Sequence, residues 1–241
     1  YKESFLMAWA SLVANKLRSL LTMLGIIIGV AAVIALVSIG NGVKQDIEDS
    51  ISSLGSNLLV VLPGAPRTPG ARPSQGSMKS LKISDYEAIA KLEGVKAASP
   101  MTNGSYVVIY QNKNWTTSVA GVNSNFQDVN NWTMTSGRFF SDKNVQNRER
   151  VAVVGQTVVK NLFADEDPVG KEIRVKNIPF RVIGVLKSKG NGTMGNDQDD
   201  TVLIPYTTSM ERVEGIDYLR RVYVVAKDDG GIDRLQADIE N

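Results

Sequence analysis

The run Leu20 to Ile39, LLTMLGIIIGVAAVIALVSI, constrains this chain more than any other stretch, because it lies in a window, Ser19 to Val43, without one charged residue. A helix rises about 1.5 Å per residue, so roughly 20 apolar residues cross a hydrocarbon core of about 30 Å. Unpaired backbone amides are costly in lipid, so a lone segment of this kind has to be helical. A buried helix of a water-soluble domain would keep a polar face, and this run has none. A cleaved signal peptide would carry an apolar region of about 7–15 residues. This run is longer, and the residues after it, NGVKQDIED, read as more helix. The expectation is a transmembrane helix over 20–43.

Ahead of it, Phe5, Leu6, Trp9, Leu12, Val13 and Leu17 recur at helical spacing, with Lys2, Glu3, Ser4, Ser11, Asn15 and Arg18 between them. That pattern predicts an amphipathic interfacial helix over 1–19, with Trp9, Lys16 and Arg18 as its anchors at the headgroup level. Lys2, Lys16 and Arg18 precede the span, whereas Lys44 is soon followed by Asp46, Glu48 and Asp49. The excess of Lys and Arg puts the N-terminus in the cytoplasm and residues after about 43 outside it. Inside the span, Gly25 and Gly29, and then Ala31 and Ala35, lie four apart. Small residues at that spacing let a second helix approach closely.

Beyond Gly40-Asn41-Gly42 the pattern becomes striped. Val43, Ile47, Ile51 and Leu54 fall on one helical face with charges between them, which predicts a stalk helix over 44–55 stopped by Gly55. Asn57–Pro63 reads as a strand and Pro63–Gly76 as a Pro- and Gly-rich loop. Ser84 with Glu87 suggests a capping box opening a helix that ends at Gly94. Val95–Pro100 follows as a strand, completing a β-α-β unit. Strands are expected at 105–111, 115–122, 151–155, 171–175, 180–186, 201–206 and 221–226, with helices at 156–163 and from Ile232. The predicted fold is α+β, with an external domain in two parts. Residues 56–102 and 219–241 form a mixed βαβ-type part, and 103–218 a β-rich insert.

The chain of 241 residues carries 27 Lys and Arg against 25 Asp and Glu, so nothing global favours nucleic acid as a partner. It has no Cys and no His, which removes disulfides, thiolate chemistry, His-ligated zinc and the Ser-His-Asp relay. Gly190-Asn191-Gly192-Thr193-Met194-Gly195 matches a dinucleotide fingerprint in spacing only. The acidic Asn196–Asp200 that follows it is a poor helix start and repels phosphate. That acidic cluster lacks the glycine and terminal Glu of a calcium loop and reads as a solvated loop. Asp165/Glu166 and Asp228/Asp229 sit in turn-like stretches and also read as solvated. No catalytic, cofactor or metal residue is expected in this segment.

Asn15 to Val30, NKLRSLLTMLGIIIGV, closed by Gly40 and Gly42, resembles the first membrane helix of MacB-type ABC transporter permeases. Gly137-Arg138-Phe139-Phe140, Val151–Gly155, Asp167-Pro168-Val169-Gly170 with Ile173, Val182–Val185 and Ile204-Pro205-Tyr206 resemble the periplasmic core domain of the same MacB/FtsX-like superfamily. The resemblance implies a homodimeric permease of the bacterial inner membrane with its external domain in the periplasm. It implies a cytoplasmic ABC ATPase, fused or separate, which would hold ATP and Mg; a periplasmic adaptor; and an outer-membrane channel. ATP hydrolysis would then drive export of periplasmic drugs, peptides or toxins, with any ATPase activity in a domain outside this segment. A single-span anchored binding or sensor module, or a lipoprotein-handling one, remains the alternative reading at this point.

Overall fold

The described residues of the computed structural model are 16–54, 57–64, 79–164, 166–192, 195–227 and 232–240. Residues 1–15 of the interfacial helix expected over 1–19, with Trp9, lie outside them, and residues 16–19 begin the first described helix. The chain divides into two compact units, Tyr1–Asp49 and Ser50–Asn241. Helix α1, Lys16–Leu54, is continuous for 39 residues. It passes through Gly40-Asn41-Gly42 unbroken, so the expected span and stalk share one backbone helix of about 58 Å at 1.5 Å per residue. Leu20, Leu24, Ile26, Ile28, Ile34 and Leu36 are exposed on several sides of it. Among the described residues no helix is long and apolar enough to cross a membrane.

The second unit begins with β1, Leu58–Val61, and α2, Ile83–Ile89. The predicted cap is displaced. Helix α2 starts before Ser84, and the Lys82 N–H donates to Asp85 Oδ2 at 2.8 Å, so Asp85 rather than Glu87 closes the first turn. Strand β2, Val95–Tyr110, fuses the two strands expected at 95–100 and 105–111 into one of 16 residues. A two-residue turn, Gln111-Asn112, leads into β3, Lys113–Val122. Gln111 takes a φ of 51° there, the left-handed backbone that a two-residue hairpin turn uses. Then come α3, Phe126–Val129; β4, Met134–Gly137; and α4, Asp142–Gln146, three short elements without a periodic signal. Strand β5, Val151–Val154, and α5, Gln156–Leu162, stand within the ranges predicted for them.

Strands β6, Glu172–Val175, and β7, Ile178–Leu186, pair across Lys176-Asn177, both at positive φ. Strand β7 begins two residues before the strand expected at 180–186, so Pro179 lies within it opposite Arg174. Strand β8, Thr201–Pro205, runs into α6, Tyr206–Thr208, and a π-helical turn, Ser209–Glu214. Strand β9, Arg221–Ala226, and α7, Ile232–Glu240, complete the fold and fall where the sequence pattern puts them.

Strand order is β1-β9-β2-β3-β8-β5-β7-β4, with β6 pairing both β2 and β7. Strands β1 and β2 are each antiparallel to β9 between them, so the first β-α-β unit is split by the last strand of the chain. The β3–β8 and β5–β7 pairs are parallel and the others antiparallel.

Side chains alternate across a strand, and the two faces of β5 pack into two different clusters. Ala152 and Val154 join one with Val108, Val119, Leu162, Ile173 and Phe180. Val151 and Val153 join another with Val122, Phe126, Trp132, Phe140 and Leu203. All four are buried, which is why the strand reads as an unbroken apolar run. A third cluster packs α2 and α7 on β1, β9 and the start of β2 through Ile89, Val95, Ala98, Val222, Val224 and Leu235.

Strand β2 changes partner along its length. Val95–Met101 pairs with β9 and Thr102–Tyr110 with β3. At the change, the buried hydroxyls of Thr102 and Ser209 lie 2.9 Å apart. Gly121, opposite Thr102, leaves room for them. A Cβ there would stand 2.5 Å from Thr102 Oγ1 and closer still to Ser209 Cβ. Gly121→Ala is therefore expected to destabilise the domain by about 1–3 kcal/mol, read from the urea midpoint at unchanged slope. A midpoint equal to wild type would show that the crossing tolerates the methyl group.

Candidate functional site

The start of α2 and the segment from α6 to Asp217 enclose an open cleft of about 500 Å³. Lys82, Ile83 and Ser84 form one side of its lining; Arg148, Thr207, Met210, Glu211, Ile216 and Asp217 complete it. The far wall turns back because Gly215 takes a left-handed φ of 66° after the π-helical turn, and the Ile216 N–H then donates to the Met210 carbonyl at 3.0 Å. Behind the cleft, the rings of Tyr86 and Tyr206 meet edge to face with centroids 6.3 Å apart. Tyr86 accepts a hydrogen bond from Asn123 Nδ2 at 3.1 Å, and the same amide donates to the Ala98 carbonyl at 2.9 Å.

Two ion pairs border the cleft. Lys82 Nζ lies 2.7 Å from Asp217 Oδ2, and Arg148 Nε lies 2.8 Å from Glu211 Oε2. Their side chains are 43% and 84% exposed in the first pair and 59% and 51% in the second. Pairs this exposed are screened by solvent and contribute little to stability. The hydrogen bond and charge of Lys82 hold the Asp217 carboxyl below its usual range.

The π-helical turn has a second, buried side. Ser209 Oγ donates to Glu214 Oε1 at 3.0 Å, and Glu214, with a side chain only 3% exposed, has Arg220 at 3.6 Å. Thr102, Ser209, Glu214 and Arg220 thus form a polar chain at the point where β2 changes partner. Burial first, and then the charge of Glu214, raise the nearby Tyr106 hydroxyl, with Arg220 opposing them. Met210 and Glu211, from the same turn, line the cleft.

The residues singled out from the sequence are not gathered here. Gly25, Gly29, Ala31 and Ala35 are exposed on α1, and a Cβ on Gly25 or Gly29 would meet nothing within 4 Å. Lys16 is exposed at the start of α1. The side chains of Arg18, Val43, Ile47, Ile51 and Leu54 lie outside the described set, although their backbone is helical.

One residue of the acidic loop differs from its expected solvated state, while Asn196 and Asp197 are exposed. Asp199 is buried and accepts from Lys189 N at 2.8 Å, Gly190 N at 3.1 Å and Ser188 Oγ. The glycine-rich stretch enters a β-bridge, Asn191 to Asp197, in place of the helix a dinucleotide site requires. Glu166 is exposed, as a solvated turn residue is expected to be, and accepts from Tyr110 Oη at 2.9 Å, which lowers its carboxyl. Asp165, Asp228 and Asp229 lie outside the described residues. Among the described residues no group of three or more His, Cys, Asp or Glu is placed to hold a metal ion. Nothing in the sequence marks the cleft, since its lining comes from three separated stretches and its charges are ordinary surface residues.

Residues 19–241 match the MacB-like periplasmic core domain. The chain belongs to that family. It is 45% identical over 243 residues to a macrolide export ATP-binding/permease protein MacB of Rhodospirillum rubrum, covering 100% of this chain and 37% of the relative. The corresponding protein of Chlorobium luteolum is 40% identical over 227 residues, covering 94% of this chain and 34% of its own. The crystal structure of the periplasmic region of MacB from Actinobacillus actinomycetemcomitans superposes with a TM-score of 0.67 at 26% identity, covering 78% of this chain and 83% of that one. The mixed α/β fold of the second unit is therefore the fold of this family. The chain spans about a third of the length of the curated relatives it matches.

The tyrosines behind the cleft give the fold a pH signature. Burial raises the hydroxyls of Tyr86 and Tyr206 above the usual 10.0, and nearby carboxylates add to it. The folded state holds these protons more tightly, so this contribution is complete below about pH 10 and is lost as pH climbs through the raised values. Lys189 works the other way, because burial lowers its ammonium below 10.5 and folding gains as that proton leaves. Between about pH 9 and pH 11, a Tyr86→Phe/Tyr206→Phe variant is expected to lose less thermal stability than wild type. Parallel losses in the two proteins would show that the tyrosines do not set the alkaline limit.

Proposed function

We propose that the chain is the first membrane helix and the periplasmic domain of an ABC-type efflux permease of the MacB kind. The observation that carries the reading is the family match, which starts at residue 19, within the polar entry to the apolar run, and continues to residue 241. The relatives' name joins ATP-binding and permease functions in one protein. Residues 20–43 would cross the bacterial inner membrane, with the N-terminus cytoplasmic, Trp9, Lys16 and Arg18 at the interface, and residues after about 43 in the periplasm. The charge-free window and the unbroken 39-residue helix support this.

ATP and Mg would be held by the ATPase domain or subunit, and this segment would convert its cycle into movement outside the membrane. Export of drugs, peptides or toxins would then run through a periplasmic adaptor and an outer-membrane channel. Two copies would pair through Gly25, Gly29, Ala31 and Ala35 in the membrane and through Val43, Ile47, Ile51 and Leu54 along the stalk. The division of the external domain into 56–102 with 219–241 and 103–218 is supported by the clusters. One gathers residues of the outer segments with Met210; the other two centre on β3, β5, β7 and β8.

The test places a charge on the stalk stripe. Ile47→Asp in the full-length transporter is expected to abolish most efflux at matched expression and membrane insertion, because a carboxylate has no partner in a packed apolar seam. Equal efflux by variant and wild type would refute stalk pairing. A chain that supports no ATP-dependent efflux at all would favour an anchored binding module.

A further inference from the structure

Asparagine is followed by glycine at three places, Asn41-Gly42, Asn103-Gly104 and Asn191-Gly192. In each, one bond from the glycine N to the asparagine side-chain amide carbon would close a five-membered ring. A glycine there adds no side chain to crowd the approach and leaves the backbone free to turn. The ring closes only where that backbone can leave its regular hydrogen bonds, and the structure separates the three pairs on this ground. Asn41-Gly42 is held within the continuous helix α1. Asn103 and Gly104 lie in the β2 ladder opposite Ala120 and Val119. The Tyr106 ring folds over Gly104, where a Cβ would meet it at 2.6 Å. Asn191, by contrast, is exposed and joined to Asp197 by an isolated bridge. Beside it the Gly192 N–H donates to the Asn196 carbonyl at 2.8 Å, and the Gln198 N–H to the Gly190 carbonyl at 3.1 Å. A short loop closed in this way opens at a fraction of the free energy that unravels a helix or a strand ladder.

We propose that Asn191 is a self-modification site, deamidating through Gly192 while Asn41 and Asn103 stay intact. When the bridge opens, the Gly192 N bonds to Asn191 Cγ as the Cγ–Nδ2 bond breaks. The proton lost by the Gly192 N leaves with the amide nitrogen as ammonia. Water then adds across either ring C–N bond, giving an aspartate or an isoaspartate, the latter with one more carbon in the backbone. The sequence is a substitution followed by a hydrolysis, so it needs no oxidant, metal or partner. Either product sets a carboxylate opposite Asp197, and like charges directly opposed in an antiparallel pair disfavour it. The modified loop is therefore held open by its own product. The site stands on the geometry of the external domain and is independent of the permease reading, so it is tested without transport.

The experiment is peptide mapping by mass spectrometry of the detergent-solubilised 241-residue chain after incubation at mildly alkaline pH, folded and in urea. In the folded chain the peptide containing Asn191 is expected to gain one mass unit, as aspartyl and isoaspartyl forms. That gain should run about tenfold faster than at Asn41 or Asn103. In urea, where the β2 ladder is gone, Asn103 should convert at a rate similar to Asn191. Gly192→Ala places a Cβ 3.1 Å from Asn196 Oδ1, which a side chain can yield, so the variant is expected to fold. It should slow conversion at Asn191 about tenfold in both states. An Asn191 peptide that keeps its mass in the folded chain overturns the proposal, whether or not it gains mass in urea. So does a folded chain in which Asn41 or Asn103 converts as fast as Asn191, and so does a Gly192→Ala variant that converts at the wild-type rate.

Discussion

The sharing of strand β2 between two sets of partners is the constraint on which the external domain depends. Its first seven residues, Val95–Met101, belong with β9, and its remainder, from Thr102, with β3. A single extended strand cannot let the two sides move apart without breaking ladder bonds, so the sides are held in register by covalent chain. The crossing is also where polar groups are buried. Thr102, Ser209 and Glu214 are joined by hydrogen bonds, and the carboxylate of Glu214 has Arg220 beside it. Removing one member of such a buried set strands the others at a cost larger than the net worth of the bond. The crossing is thus specified by chemistry as well as by packing.

The π-helical turn ties this crossing to the surface. Ser209 and Glu214 point into the polar chain, while Met210 and Glu211, from the same turn, face the cleft. An inserted residue in a helical turn commonly marks a functional position, since it redirects side chains that a regular α-helix would place elsewhere. Here it allows six residues to serve both sides. The tyrosine pair and Asn123 fasten α2 against this segment, so the cleft has one wall from each end of the sequence and a common floor.

Elements with both periodicity and strong punctuation are readable from the residues. Strand β5 announces itself as four consecutive β-branched or small apolar residues, because it is buried on both faces. Strand β9 and the start of α7 match the pattern to the residue, since alternation in one gives way to helical spacing in the other. The cap of α2 departs from its pattern because Ser84 and Asp85 are adjacent and only tertiary packing decides where the helix begins. The short elements around Phe126, Met134 and Asp142 are too brief to show a period and are fixed by the aromatic cluster of Phe126, Trp132 and Phe140. Asp199 reads as one acid among several; its burial depends on the backbone folding around it, which no local pattern encodes. The cleft is invisible in the sequence for the same reason, its lining coming from residues 82–84, Arg148 and residues 207–217.

The assignment to an efflux permease is tested most directly by the intact mass of the native polypeptide purified from its own membrane, together with whatever protein accompanies it. A polypeptide well above 26.2 kDa that carries ATPase activity, or one in stable complex with an ATPase, is the predicted result. A polypeptide of 26.2 kDa that purifies without any ATPase would contradict it.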